Sequence, residues 1–307
     1  MRSRAFTLIE LLVTLGVIGV LAAILLPAIH RSREAGRRIH CRNSLRQISI
    51  AVSAYLEQFS VYPTPRLMTG PGWSANSFSQ HTYILPQLEQ SAVFNAINFS
   101  FGRFEGLQTP TVENGTARLS RIESFLCPSE SNVEVRNSYR YNLGLFRQTQ
   151  GPFRLFFPTK ASDISDGLHS TAFLSERVGG SFVKGLEDPI RDIKQHAVNL
   201  PGVLKEGEAK LLCQTSRRSG WFHTAGRYWF YYGSYNTTYY HDAIPNEREP
   251  SCELDLLSRE GSGGVSGPRS IHHGGVNLVF GDGHVDFIGD NIDRNIWTAM
   301  GTRAAND

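Results

Sequence analysis

The side chains best suited to chemistry sit near the C-terminus, where His272, His273, Asp282, His284 and Asp286 share one short segment. Imidazole and carboxylate together suit a divalent metal. No closed ligand set is visible, however: strand alternation puts His284 and Asp286 on a face open to solvent, and Asp282 is needed to make a turn. His272, Asp282 and His284 are therefore only weak metal candidates, and no metal or cofactor is expected. No nucleophile stands with a base and an orienting group. The sequence carries no P-loop, dinucleotide fingerprint, zinc-protease helix or Gly-x-Ser-x-Gly elbow. The expectation is a protein that is not an enzyme and has no catalytic residues.

Two other kinds of residue call for a role. Glu10 is the one charge inside an apolar run from Phe6 to Ile29, and an acidic side chain at the centre of a bilayer costs roughly 2.5–3.5 kcal/mol unless it finds a partner. The four cysteines, Cys41, Cys127, Cys213 and Cys252, are spaced too widely for any zinc pattern. An even count outside the cytoplasm suggests two disulfides. Of the possible connectivities, Cys41 with Cys127 and Cys213 with Cys252 close the shorter spans in chain order.

The elements that must position these groups begin with the apolar run itself. A helix rises about 1.5 Å per residue, so about twenty apolar residues cross a bilayer core of roughly 30 Å, and Phe6 to Ile29 is long enough. A cleaved secretory signal would have a shorter apolar stretch ending in small residues, whereas here the run passes directly into Arg31, Arg33, Arg37 and Arg38. Beyond it Cys41, Leu45, Ile48, Val52, Tyr55 and Phe59 recur at spacings of four and three, which predicts that the helix continues with one stripe on a core. Pro63 and Pro65 stop it. Residues 61–307 then form a head of strands, turns and short helices. A charged fraction of 19% and a net charge of +3 are too small to suggest nucleic-acid binding.

Within the head, Pro86 marks a helix start, and 118–125 reads as a short helix. Residues 138–142 and 171–174 read as strands, and 184–212 as a polar insertion. Tyr228 to Tyr240 is dense in aromatics, which suits packing at a sheet or, less commonly, stacking on a glycan or peptide. Asp282-Gly283 is a two-residue hairpin signal; that turn would pair Phe280 with Val285 and Leu278 with Phe287 on one apolar face.

Ala5-Phe6-Thr7-Leu8-Ile9-Glu10-Leu11-Leu12 resembles the type IV prepilin processing motif. The resemblance implies a leader of residues 1–5, cleavage between Ala5 and Phe6 by a prepilin peptidase, and N-methylation of Phe6. In that family the glutamate corresponding to Glu10 pairs with the terminal amine of a neighbouring subunit. The usual residue before the cut is Gly, and here it is Ala5.

Ser270 to Asn277 leading to Asp282-Gly283 resembles the H-X9-DG signature, with His272 as its histidine and Gly274, Gly275, Asp282 and Gly283 as structural positions. That signature closes a bacterial family joining a prepilin-type N-terminus to a domain of unknown function. Further matching blocks, among them Cys127-Pro128-Ser129-Glu130 and Trp297-Thr298-Ala299-Met300-Gly301-Thr302, follow in order along the chain.

The family resembles the pseudopilins of type II secretion. It implies an α+β pilin-like fold: a transmembrane and polymerisation helix at 6–29, an amphipathic continuation at 30–60, and an antiparallel β-rich head with its hairpin at 270–289. It also implies a single-pass protein of the bacterial inner membrane, N-terminus cytoplasmic and head periplasmic or extracellular, whose partners are the peptidase, other pilin-like subunits and membrane lipid. The arginines argue the other way. Two flank the span on the leader side and Arg31, Arg33, Arg37, Arg38 and Arg42 on the far side, which by the positive-inside rule would leave the head in the cytoplasm. The motif and the cysteines outweigh that count. The alternative reading is a tethered extracytoplasmic binding module that does not polymerise.

Overall fold

The computed structural model describes residues 7–65, 78–100, 114–145, 150–154, 157–185, 188–198, 211, 220–256 and 263–304, with backbone alone at 194–198, 253–256 and 263. The cleavage pair Ala5–Phe6 and Cys213 lie outside the described residues.

One helix, α1 (Leu8–Phe59), runs unbroken through Pro27 for 52 residues, about 78 Å of rod. Its two halves differ as the sequence implies. From Leu8 to Ile29 every residue is exposed, and this half is long and apolar enough to cross a membrane. The second half buries Cys41, Leu45, Ile48, Ser49, Ala51 and Val52. Phe59, expected on that stripe, is exposed, and Leu56 packs against the core instead. Ser60 then takes a left-handed conformation and donates its N–H to the Leu56 carbonyl, closing the helix ahead of the prolines.

The head is α+β, with two sheets among the described residues. The larger has the order β5-β1-β2-β8-β9, built from β1 (Tyr139–Asn142), β2 (Ala172–Glu176), β5 (Thr238–Tyr239), β8 (Gly275–Phe280) and β9 (Val285–Gly289). The smaller, β4-β3-β6-β7, joins β3 (Ile193–Val198), β4 (Gly220–Phe222), β6 (Ser251–Leu256) and β7 (Gly263–Val265). The expectation of an antiparallel head needs correction: β1 pairs with β5 and β3 with β6 in parallel. The segment read as an insertion thus supplies a central strand of the second sheet.

The larger sheet is covered on both faces. On one, Cys41, Leu45, Ile48 and Val52 of α1 share a core with Tyr139, Tyr141, Phe173, Val279 and Val285. On the other, Ala172, Leu278 and Phe280 meet Trp297 of the C-terminal helix. Every residue of β1, β2 and β8 is consequently buried, the pattern of strands covered on both sides.

Among the described residues the further α-helices are short: α2 (Gln80–Tyr83), α3 (Ser91–Asn95), α4 (Gly115–Leu119) and α5 (Arg294–Gly301). Pro86 does start a helix, but only a three-residue 3-10 helix (Pro86–Leu88), and another (Glu123–Phe125) covers just the end of the short helix expected at 118–125. Asp293 caps α5 by accepting from the Asn295 and Ile296 amides.

The aromatic stretch at 228–240 is mostly turn rather than strand, and most of its aromatic side chains are core. Trp229, Phe230, Tyr231, Tyr239 and Tyr240 are all buried. These five side chains offer no stacking surface for a glycan or peptide, and Tyr228, Tyr232 and Tyr235 are the partly exposed aromatics of the stretch.

Candidate functional site

At the membrane end, Thr7 is the N-cap of α1, and Glu10 completes a capping box. The Glu10 carboxylate accepts from the Thr7 backbone N–H and from its hydroxyl, both at 2.9 Å. A single chain thus partly satisfies this acid by bending it back on its own helix start.

The helix is locked to the head around His272. The imidazole Nδ1 lies 2.7 Å from Glu34 Oε1 on α1, and its Nε2 faces Glu176 Oε1 on β2 at 3.5 Å. With a carboxylate at each ring nitrogen, the imidazolium, which has two N–H donors, is the species that fits. Burial alone would push His272 down, but hydrogen bonding and charge from Glu176, then Glu34, hold its pKa above the ordinary value. Partial burial likewise works against ionised Glu34, but hydrogen bonds from His272 and Arg37 prevail and hold its carboxyl below the ordinary value.

Each carboxylate has further support. Glu176 accepts from the Asn277 amide at 3.0 Å and from the Asn277 side chain at 2.8 Å, which explains the one polar residue inside buried β8. Glu34 also accepts from Ser129 Oγ at 3.3 Å and pairs with Arg37 at 2.6 Å.

The expected Cys41–Cys127 disulfide lies beside this group, joining α1 to the head across 86 residues of sequence. Cys127 Sγ is 3.6 Å from His272 Nε2. Cys252 is buried and disulfide-bonded. Cys41, Cys127, Glu176 and His272 bring potential ligand atoms within 4.8 Å of one another, but zinc needs thiolates and these two sulfurs are bonded to each other.

Two of the five arginines beyond the membrane run serve the same docking. Arg42 donates to the Val285 carbonyl at 2.6 Å, and the Arg38 guanidinium lies 3.4 Å above the Phe287 ring, both contacts on β9. Arg31 and Arg33 are exposed.

The C-terminal hairpin forms, but one residue out of the expected register. Val279 pairs with Val285 and Leu278 with Asp286, because the connection is Gly281-Asp282-Gly283 rather than Asp282-Gly283 alone. The Gly283 amide donates to the Phe280 carbonyl and the Phe280 amide to the His284 carbonyl, with Gly283 at φ +88°. This is a tight turn followed by a left-handed residue, the geometry of three-residue hairpin loops. Gly274 also has positive φ, and a Cβ on Gly275 would lie 2.2 Å from the Ile288 carbonyl oxygen.

The structure divides the His/Asp group read from the sequence. His272 belongs to the helix lock, whereas Asp282 and His284 stand together at the turn with a partner that local sequence did not suggest. His169 Nδ1 is 2.9 Å from Asp282 Oδ2, and the two imidazole rings are 4.5 Å apart. Burial is the largest single influence on Asp282 and opposes its ionised form, but hydrogen bonds from His169 and His284 together with the His284 charge outweigh it and bring its pKa down to about 2. Glu34, Glu176, Asn277 and His169 were all missed, because each reaches its partners across a long stretch of chain and no local pattern marks it.

Residues 30–295 match a family described as protein of unknown function (DUF1559), and residues 1–26 match the prokaryotic N-terminal methylation motif. The fimbrial protein EcpC of Eikenella corrodens is 30% identical over 134 residues, spanning 43% of this chain and 86% of that protein. No solved structure matches. With one long apolar helix among the described residues leading into a head that the matched family spans, the chain belongs to the DUF1559 family and is a pilin-like protein carrying a prepilin-type N-terminus.

Proposed function

We propose that this protein is a non-enzymatic pseudopilin-like subunit, cut between Ala5 and Phe6, methylated on Phe6, and polymerised through α1 into a type II secretion or type IV pilus-like fibre. The observation that carries the reading is the division of α1. Its first half exposes Leu8, Ile9, Leu12, Leu15, Ile18, Leu21 and their neighbours on all sides, while its second half is bonded covalently and ionically to the head. Such a half-helix needs lipid before assembly and sister helices after it.

Glu10 has a place in that exchange. The bonds it makes to Thr7 satisfy it only in part within one chain, and the amine of a neighbouring Phe6 would compensate its charge in the fibre. The head faces the periplasm or the exterior in this reading. A structural disulfide suits an oxidising compartment. The arginine count also loses weight as an argument for a cytoplasmic head, since Arg38 and Arg42 are engaged by β9 rather than offered to a membrane. Most of the aromatic side chains on which a lone binding module would rest, Trp229, Phe230, Tyr231, Tyr239 and Tyr240, are in the core.

Mass spectrometry of the protein from its native membrane tests processing: the expected first residue is a methylated Phe6, and a chain still starting at Met1 overturns it. Glu10→Ala should leave membrane insertion intact and abolish fibres. Unchanged fibre formation by that variant would remove Glu10 from assembly.

A further inference from the structure

We propose that His169, Asp282 and His284 form a binding site for one divalent transition-metal ion, of which zinc is the probe of choice. Among the described residues two groups of His, Cys, Asp and Glu bring ligand atoms within 4.8 Å of one another. The one around the disulfide is closed to metal by its bonded sulfurs, which leaves this trio, independent of fibre assembly.

The ligand geometry is nearly that of a metal centre. Asp282 presents Oδ2 to His169 Nδ1 at 2.9 Å and Oδ1 to His284 Nδ1 at 2.5 Å. A zinc ion binds imidazole nitrogen and carboxylate oxygen at about 2.0–2.2 Å. An ion in place of the two shared protons therefore needs only small side-chain rotations. Two imidazoles and one carboxylate favour zinc, nickel or copper over calcium or magnesium, which take oxygen ligands.

The scaffold holds these groups before any ion arrives. The Gly281 amide donates to the Thr171 carbonyl at 3.0 Å and the Asp282 amide to the Leu168 carbonyl at 3.2 Å, so the hairpin turn is stitched to the turn that carries His169. His284 stacks on Phe280 with centroids 4.3 Å apart and ring planes 6° from parallel. Its Nε2 faces Asp286 Oδ2 at 3.8 Å, the side from which an outer carboxylate orients a metal-bound histidine. The side chain of His169 is 83% exposed, so ions have open access and water can complete the coordination. Bound there, the ion clips the 167–171 turn to the hairpin.

The test is calorimetric titration of the full-length chain in nonionic detergent with zinc chloride alone, with metal analysis after dialysis. One zinc per chain is expected, with a melting temperature raised by about 5 °C at hundredfold excess over Kd. His169→Ala, at an exposed position that the fold does not need, should weaken binding at least tenfold and abolish the thermal shift. His273→Ala, an exposed histidine outside the trio, should bind as the parent does. Absence of zinc uptake, uptake unchanged in His169→Ala, or equal loss in His273→Ala would each overturn the proposal.

Discussion

Removing His272 is the sharpest perturbation of this molecule, because the imidazolium stands between two carboxylates of unequal exposure. The side chain of Glu176 is 3% exposed and that of Glu34 is 37% exposed. In His272→Ala, Glu176 is left buried with its charge uncompensated, a situation that costs roughly 3–5 kcal/mol in buried pairs. Its two bonds from Asn277 survive, which points to the lower end, about 3 kcal/mol. Glu34→Ala removes a solvent-screened partner, and Glu176 still holds His272, so the expected cost is about 1 kcal/mol or less. The variants should differ severalfold although each deletes one end of the same bond. Urea unfolding of the full-length chain in nonionic detergent, followed by fluorescence of the buried Trp229 and Trp297, measures both. Equal costs, or a His272→Ala cost under about 1 kcal/mol, would refute the claim that an ion triad centred on buried His272 and Glu176 fastens the helix to the head.

Two further outcomes follow from the same lock. The folded pKa of Glu34 lies below its ordinary 4.5 and that of His272 above its ordinary 6.5, so the stability each contributes is complete only between those values. It is lost as pH falls below 4.5 through the folded value of Glu34, and as pH rises above 6.5 through that of His272. The gap in urea midpoint between parent and His272→Ala should accordingly narrow from pH 6 to pH 9; a gap that widened would reverse the assignment. Paired Cys41→Ser and Cys127→Ser substitutions release a loop of 86 residues, and loop-closure entropy sets the loss at about 4–5 kcal/mol. Limited proteolysis should then cut between α1 and the head faster than in the parent.

How far the sequence could be read depended on range. The stripe of α1, strands β1 and β2, and the existence of the hairpin are local patterns of apolar spacing and turn residues, and the structure has them. The hairpin register was missed by one because Gly281 joined the loop, making Gly283 rather than the Asp282-Gly283 pair the left-handed position. The open face expected at His284 and Asp286 holds on β9, where the Asp286 side chain is 62% exposed, but not on β8, which is buried throughout. No sequence window shows that α1 covers one side of β8 while Trp297 covers the other. The aromatics at 228–240 were correctly favoured as packing residues, but in turns rather than strands.

From sequence alone came the anchor, the prepilin-type motif, the length of the helix and the preferred Cys41–Cys127 bond, because these rest on contiguous apolar length, fixed spacing or loop size. Tertiary structure alone decided that His272 is a structural cation, that Arg38 and Arg42 serve the head, and that His169 joins Asp282 and His284. Those outcomes depend on contacts between residues far apart in the chain. Burial and charge pairing at such contacts arise only when the sheet, the hairpin and the helix are packed together.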